Sequence, residues 1–227
     1  MINKTRDLFG EPKMRKYVLC KTCVPRLSHY RNALLRFKDL GFDRVFSKTI
    51  AEAVGVTPAQ VRKDFSIFGI SGNKKGGYNV DTLIEQLYAI LDKGSVHEVI
   101  LVGIGNIGSA LINYRLFEKE GIKIVAGFDI DPSKINRKNK IPIFPLDYLE
   151  DFVKKNNIKI GIITVPAISA QEVCDRMFSA GIKGILNFAP IKLKCREGFV
   201  VRNVNIMLEL ENVIYFVNAF EELIHIE

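Results

Sequence analysis

Three glycines, Gly103, Gly105 and Gly108 in the run "VGIGNIGSA", have the spacing G-x-G-x-x-G. That pattern suits the holding of a pyrophosphate: glycine lets backbone approach the phosphates, and N–H groups at the start of a following helix face the negative charge. Alone it is a weak signal, and its context gives it weight. An apolar strand from Glu98 to Val102 precedes it, Ile104, Asn106 and Ile107 complete the loop, and a run through Ala110, Leu111, Tyr114 and Phe117 reads as one helix. A second apolar strand, Ile124 to Phe128, ends in Asp129, 21 residues after the last glycine. A carboxylate at that place accepts hydrogen bonds from the adenine ribose hydroxyls and disfavours a 2′-phosphate, so the expected ligand is NAD(H) rather than NADP(H). Lys134, Arg137 and Lys138 shortly downstream pull weakly the other way.

A dinucleotide enzyme that reduces a carbonyl also needs a proton donor beside the nicotinamide, most often His or a Tyr/Lys pair. The three histidines are His29, His97 and His225, and the one Tyr-x-x-x-Lys match is Tyr17 with Lys21; none is well placed. No catalytic residue is assigned, and NAD(H) reads as a signal rather than a substrate. Two competing classes remain: an NAD-dependent oxidoreductase with an accessory front domain, and a regulator of another adenine nucleotide such as coenzyme A.

The elements that must hold this site continue the alternation. "KIGIITVPA" is a strand, Ser169 to Ala180 a helix, "GILNFAP" a strand and "FVVRNVNI" a last strand, which together predict a Rossmann-type doubly wound parallel sheet. A final helix from about Met207 to Ile224 carries Leu208, Leu210, Val213, Ile214, Tyr215, Phe216, Val217 and Phe220 on nearly every side. A helix apolar all round must be buried, either in its own domain or in a second subunit.

Ahead of this sheet stand about a hundred residues of a different character. Residues 1–80 hold 16 Lys/Arg against 6 Asp/Glu, while residues 81–227 hold 17 against 19, so the whole formal excess of +8 belongs to the front. That imbalance implies a polyanionic partner for the front part. Leu27, Tyr30, Leu34, Leu35 and Phe37 recur at helical spacing up to Gly41, and Ser47 is expected to cap a short helix closed by Gly55. Thr57-Pro58 opens the next helix with Val61, Phe65 and Ile67 inward. Two short helices joined at "AVGVTP" form a helix-turn-helix, whose second member carries Gln60, Arg62 and Lys63 outward with Asp64 as a moderating acid. "GISGNKKGGYNV" then reads as a glycine-rich basic hairpin, with Asn73, Lys74 and Lys75 at a tip suited to phosphates or a minor groove. Helix-turn-helix, basic face and basic wing predict a winged-helix DNA-binding domain, closed by a helix from Val80 to Leu91.

Composition is that of a globular protein, 48% hydrophobic and 26% charged. The longest uncharged run, Val99 to Tyr114, is too short and too rich in glycine to span a bilayer, and the N-terminus lacks a signal-peptide core, so no membrane is expected and the reading is cytoplasmic. Cys20 and Cys23 form a C-x-x-C pair, but two further ligands nearby are lacking and no metal is assigned.

In this order, "VTPAQVRKDFSIFG", "KKGGYNV", "LVGIGNIGSALINY", "GFDIDPSKI", "TVPAISAQEV" and "AGIKGILNFAP" closely resemble the Rex family of redox-sensing transcriptional repressors, over roughly residues 24 to 217. The resemblance implies a homodimer that binds double-stranded operator DNA as an inverted repeat, leaves it when NADH binds, and exchanges a C-terminal helix between subunits. It implies that Arg62 and Lys63 read the operator, that Gly103, Gly105, Gly108 and Asp129 hold the dinucleotide with Val165 and Pro166 beside them, and that Tyr114 sits near the nicotinamide. Two positions depart from the family: Asn32 where an Arg is usual, with Arg31 adjacent, and Asn205 where an Asp is usual. In the family those two positions help couple the DNA-binding face to the nucleotide site. The expected organisation is an N-terminal extension over 1–23, a winged-helix domain over 24–92, a dinucleotide-binding domain over 93–205 and a dimerisation helix over 206–227.

Overall fold

The computed structural model describes residues 23–73, 76–91 and 95–224. The chain divides at Ser95/Val96 into two compact units.

The front unit is built on α1 (Cys23–Asp39), α2 (Ser47–Val54), α3 (Pro58–Ile67) and α4 (Val80–Ile90), with a two-stranded antiparallel ribbon of β1 (Arg44–Val45) and β2 (Tyr78–Asn79). Its core gathers Leu27, Tyr30 and Leu34 of α1, Ile50 and Ala51 of α2, Val61 and Phe65 of α3, and Leu83 and Leu87 of α4. Each fully buried large apolar side chain contributes about 1.5–3 kcal/mol. Local chemistry sets the helix ends. Gly55 closes α2 in the left-handed region at φ 72°, and the Thr57 side chain accepts a hydrogen bond from the Gln60 N–H at 3.1 Å with Pro58 in the first turn of α3. The Asn79 carbonyl caps α4 through the Thr82 N–H at 2.9 Å.

Ser47 differs from the expectation. The cap position of α2 is Phe46, no side chain caps that helix, and the Ser47 hydroxyl instead accepts a hydrogen bond from Arg62 Nη1 at 3.0 Å. The ribbon of the wing is as expected: Asn73 and Gly77 exchange both backbone hydrogen bonds, at 3.0 and 2.8 Å. Gly77, at φ 63°, could carry no side chain, because a Cβ there would strike the Val45 carbonyl. Lys74 and Lys75 lie outside the described residues, as do Cys20 and the rest of residues 1–22.

The back unit is a six-stranded all-parallel sheet. Its strands are β3 (His97–Val102), β4 (Ile122–Asp129), β5 (Ile143–Pro145), β6 (Ile160–Ile163), β7 (Gly184–Asn187) and β8 (Val200–Asn203), in the order β5-β4-β3-β6-β7-β8. Alternation along β3 divides its side chains between two layers, Ile100 and Val102 on one face, Val99 and Leu101 on the other. The first face is covered by α7 (Leu149–Asn156) and α8 (Ala167–Ala180), which supply Leu149, Val153, Ala170, Val173, Cys174 and Met177. The second meets Leu111, Ile112 and Phe117.

Three features of this unit add to or narrow the sequence reading. The helix after the glycine loop is not continuous: α5 (Asn106–Ile112) ends at Asn113 and α6 (Leu116–Lys119) resumes after it. Asn113 explains the break, since its side-chain amide donates to the Ser109 carbonyl at 2.8 Å. The edge strand β5 and helix α7 were passed over entirely. The final helix, α9 (Ile206–Ile224), is not buried within its own unit: Leu208, Leu210, Val213, Ile214, Tyr215, Phe216, Val217 and Phe220 are all exposed, which removes the first of the two readings offered for it. Among the described residues no helix is long and apolar enough to cross a membrane.

Candidate dinucleotide site and nucleic-acid interface

The site lies at the C-terminal ends of β3, β4, β6 and β7, where the chain order turns away from β3 in both directions, the place where open parallel sheets leave a crevice. A pocket of about 620 Å³ is lined there by Gly103, Gly105, Asn106, Ile107, Asp129, Val165 and Pro166, all named from the sequence, and by Ile130, Lys134, Thr164, Ser169, Phe188 and Pro190 among others.

Two of the glycines are required by contact. Gly103 has φ 97°, and a Cβ on it would stand 2.8–2.9 Å from Val165 and Thr164. A Cβ on Gly108 would strike the Gly103 carbonyl, so the start of α5 presses on the loop and only hydrogen fits between them. The Thr164 hydroxyl locks the same turn, donating to the Gly103 carbonyl at 2.6 Å and reaching the Val102 carbonyl at 3.1 Å. Gly105 meets nothing within 4 Å, and no side chain caps α5. The backbone here is open toward the pocket, as a phosphate requires.

Asp129 is buried at 7% exposure and is tied into the loop: Oδ2 accepts from the Ile104 N–H at 2.6 Å and from Lys134 Nζ at 3.3 Å, and Oδ1 from the Asp131 N–H at 2.9 Å. A carboxylate offers about four acceptor directions. Three are in use, and Asp129 also lines the pocket, where its remaining acceptor capacity suits a ribose hydroxyl. Ile104 thus acts through its backbone, with its side chain buried below. Lys134 partly neutralises Asp129, whereas Arg137 lies over the Phe144 ring at 5.7 Å, so of the three downstream cations only Lys134 lines the pocket.

Tyr114 does not join this group within the chain. It is exposed at the break between α5 and α6, packs edge-on against Phe117 at 5.1 Å, and borders a separate depression of about 370 Å³ with Ile122, Ile124 and Lys140. Among the described residues no cluster of His, Cys, Asp or Glu is arranged to hold a metal ion.

In the front unit, Arg62 and Lys63 are exposed on α3, and Arg62 borders a hollow with Phe46, Gly72, Asn73 and Tyr78 at the root of the wing. Asn73 turns its carbonyl back onto the hairpin, accepting from the Gly76 N–H at 3.2 Å. Asp64 is not on the outward face. It is fully buried and receives Arg26 through two hydrogen bonds of 2.6 and 2.7 Å, the Tyr30 hydroxyl at 2.8 Å and the Gln60 amide at 2.7 Å. Gln60 is correspondingly half-buried and engaged inward, not displayed beside Arg62. Burial raises the Asp64 pKa, but the hydrogen bonds from Arg26, Tyr30 and Gln60 outweigh it and hold the carboxyl below its ordinary value. Burial and the same carboxylate push the Tyr30 hydroxyl well above the ordinary tyrosine range. The Tyr30, Phe65 and Tyr78 rings stack edge to face at 5.4 and 5.2 Å, joining α1, α3 and the wing.

Asn32 is exposed on α1, and its carbonyl accepts from the Arg31 Nε and Nη2 at 3.1 and 2.8 Å. The Arg31 guanidinium lies over the Tyr88 ring at 5.9 Å. Asn205 caps α9, its carbonyl accepting from the Leu208 N–H at 3.2 Å.

A helix-turn-helix with a wing, joined in one chain to a parallel sheet with a glycine-rich loop and a buried acid at its crevice, defines a class: regulators that pair a DNA-binding fold with a dinucleotide-binding fold. Comparison with known proteins agrees with both halves. The family model "CoA binding domain" matches residues 95–191, and "Putative DNA-binding protein N-terminus" matches residues 20–66. The chain is 43% identical over 199 residues to the redox-sensing transcriptional repressor Rex of Carboxydothermus hydrogenoformans, covering 87% of this chain and 96% of that one. It is 38% identical over 207 residues to Rex of Streptococcus pneumoniae, covering 90% and 97%. Among solved structures it is similar to RSP, a Rex-family repressor, with a TM-score of 0.80 at 34% identity over 98% of this chain and all of that one. RSP in complex with β-NAD⁺ and operator DNA matches with a TM-score of 0.81 at 32% identity over 97% of this chain and 98% of that one. RSP in complex with β-NADH matches at 0.79 and 33%, over 98% of this chain and all of that one. The chain belongs to the Rex family of redox-sensing transcriptional repressors.

Proposed function

We propose that this protein is a cytoplasmic, homodimeric repressor that binds double-stranded operator DNA through its winged helix and answers to the NADH/NAD⁺ ratio through the crevice of its sheet, NADH favouring release. One observation carries the reading: a pocket walled by Gly103, Gly105, Asp129, Val165 and Pro166 is built into the same chain as a helix-turn-helix that displays Arg62 and Lys63. Arg62 and Lys63 are the operator readers, and Asn73, Lys74 and Lys75 of the wing meet the backbone. Gln60 contributes by donating to Asp64 one turn further along α3, which helps fix that carboxylate. Gly103 to Gly108 take the pyrophosphate, Asp129 takes the adenine ribose, and Tyr114 contributes to sensing only in the assembled dimer. The exposed apolar α9 supports a dimer, because a helix apolar on all sides stays in water only at a large cost. On this reading residues 24–92 bind DNA, 93–205 bind the dinucleotide and 206–227 join the subunits.

NADH releases DNA only to the extent that it binds the DNA-incompetent state more tightly. The test is selection of DNA fragments by the purified protein with and without NADH. An inverted repeat enriched without NADH and depleted with it is expected. Steady oxidation of NADH with small carbonyl substrates at ordinary enzymatic rates, about 1–1000 per second, would overturn the proposal.

A further inference from the structure

The face of α8 that bears Cys174 has a second thiol opposite it. Gln171, Cys174 and Phe178 stand three and four residues apart on α8, and so share one side of the helix. The segment after β7 runs along that side and is held at two points. Gln171 Oε1 accepts from the Lys194 N–H at 2.8 Å, with its amide reaching the Lys194 carbonyl at 3.4 Å. Phe178 packs on Phe199 with ring centroids 4.4 Å apart. Cys195, next to Lys194, points its thiol along the same segment and donates to the Phe199 carbonyl at 3.2 Å. Cys174 lies between Gln171 and Phe178, as Cys195 lies between their two partners.

Both thiols are free, and they are unequal: Cys174 is fully buried and Cys195 is exposed. Burial first, then the neighbouring Asp175 and Cys195, push the Cys174 thiol up to about 11. An isolated buried cysteine is an inert apolar filler. Here the exposed member is the one a dissolved oxidant meets first, with the buried member beside it.

We propose that Cys174 and Cys195 are an oxidant-responsive pair that closes to a disulfide and staples the segment after β7 onto α8. A hydroperoxide oxidises Cys195 first: the sulfur attacks the O–O bond, takes one oxygen to become a sulfenic acid, and the alcohol or water leaves. The Cys174 sulfur then attacks the Cys195 sulfur, the S–O bond breaks, and hydroxide departs with the Cys174 proton as water. Two electrons pass from the two thiols to the peroxide. The helix and segment so joined also wall the crevice, through Ser169 and Val173 of α8 and through Phe188 and Pro190 just before the segment. On the reading of that crevice as the NAD(H) site, the staple holds its wall in one position and weakens NADH binding at least threefold.

The experiment treats the reduced full-length protein with a small molar excess of hydrogen peroxide and maps the products by peptide mass spectrometry, followed by NADH titration. A cross-linked peptide pair joining Cys174 to Cys195, two hydrogens lighter than the separate peptides, is expected. Cys195→Ala should abolish it, and Cys174→Ala should leave Cys195 as a sulfenic acid that dimedone traps. Oxidation of Cys195 to the sulfinic acid with Cys174 untouched, or a Cys195 linkage between two chains, would overturn the pair. A formed linkage with unchanged NADH affinity would overturn its coupling to the crevice. Failure of the reduced protein to bind NADH would instead strike the dinucleotide reading, and the peptide map would still decide the disulfide.

Discussion

Asp64 in the front unit and Asp129 in the back unit are both buried acids, and they differ in what satisfies them. Asp64 is answered wholly by side chains, Arg26, Tyr30 and Gln60, drawn from two helices. Asp129 is answered chiefly by backbone N–H groups of Ile104 and Asp131, with a half-exposed Lys134, and it borders a pocket. A carboxylate closed in by side chains has nothing left to offer a ligand and serves packing. One anchored by a loop, with acceptor capacity left over, can serve a ligand. Burial is common to both and distinguishes neither.

The largest effect should come from the closed one. Asp64→Ala leaves the partly exposed Arg26 guanidinium and the buried Tyr30 hydroxyl without their acceptor, and each hydrogen bond to a charged group so lost costs about 1.5–3 kcal/mol. Urea unfolding of the front unit measures it, and Arg26→Met together with Asp64→Leu should cost far less. The same carboxylate sets an acid limit. Its folded pKa lies below the unfolded value, which is about 3.9, so its contribution is complete above that value and is lost as pH falls through the folded pKa. Stability measured between pH 6 and pH 3 should fall more steeply in the unmodified protein than in Asp64→Asn, by about one extra proton taken up on unfolding.

The open acid should act on the ligand instead. Hydrogen bonds to charged groups are worth about 1.5–3 kcal/mol, so Asp129→Ala should weaken NADH by roughly 10- to 100-fold in calorimetric titration while sparing DNA binding without nucleotide. An equal loss of both would erase the contrast between the two acids. Two residues from Asp64 on α3, Arg62→Ala should weaken specific operator binding by about 1–3 kcal/mol, and Lys74→Ala should weaken all DNA more evenly and lower the salt slope by roughly one. The smallest change concerns the switch. Asn205 and an Asp in its place would cap α9 alike, so Asn32→Arg with Asn205→Asp adds charge without disturbing that helix. The NADH-dependent loss of operator affinity should then grow about tenfold, or 1.4 kcal/mol. A loss of a hundredfold or more in the unmodified protein would contradict the idea that Asn32 and Asn205 weaken the switch.

Much of this was legible because its causes are local. Thr57-Pro58 starts α3 wherever that helix sits, and Gly108 is a glycine because the Gly103 carbonyl, five residues earlier, leaves no room for a Cβ. Elements with weak local signals were missed. β5 is three residues long, follows Pro142 and ends at Pro145, too short for an alternating pattern to show. The helix α7 behind it carries its apolar signal in Leu149, Phe152 and Val153, which a longer view of "LDYLEDFV" could have found. Asp64 also left a trace: it lies three residues from Val61 and beside Phe65, on the buried stripe of α3.

What the sequence determined by itself is everything that follows from short-range sterics and periodicity. This includes the winged helix, the glycine loop, the parallel strands, the placement of Asp129 at a strand end, and the apolar surround of α9. What only the tertiary structure decided depends on residues far apart in the chain. Arg26 meets Asp64 across 38 positions and turns a would-be surface acid into a buried anchor. Thr164 reaches the Gly103 carbonyl across 61 and locks the glycine loop. A pattern of residue types states which faces are apolar; which polar group finds which partner is settled only when distant segments are packed together.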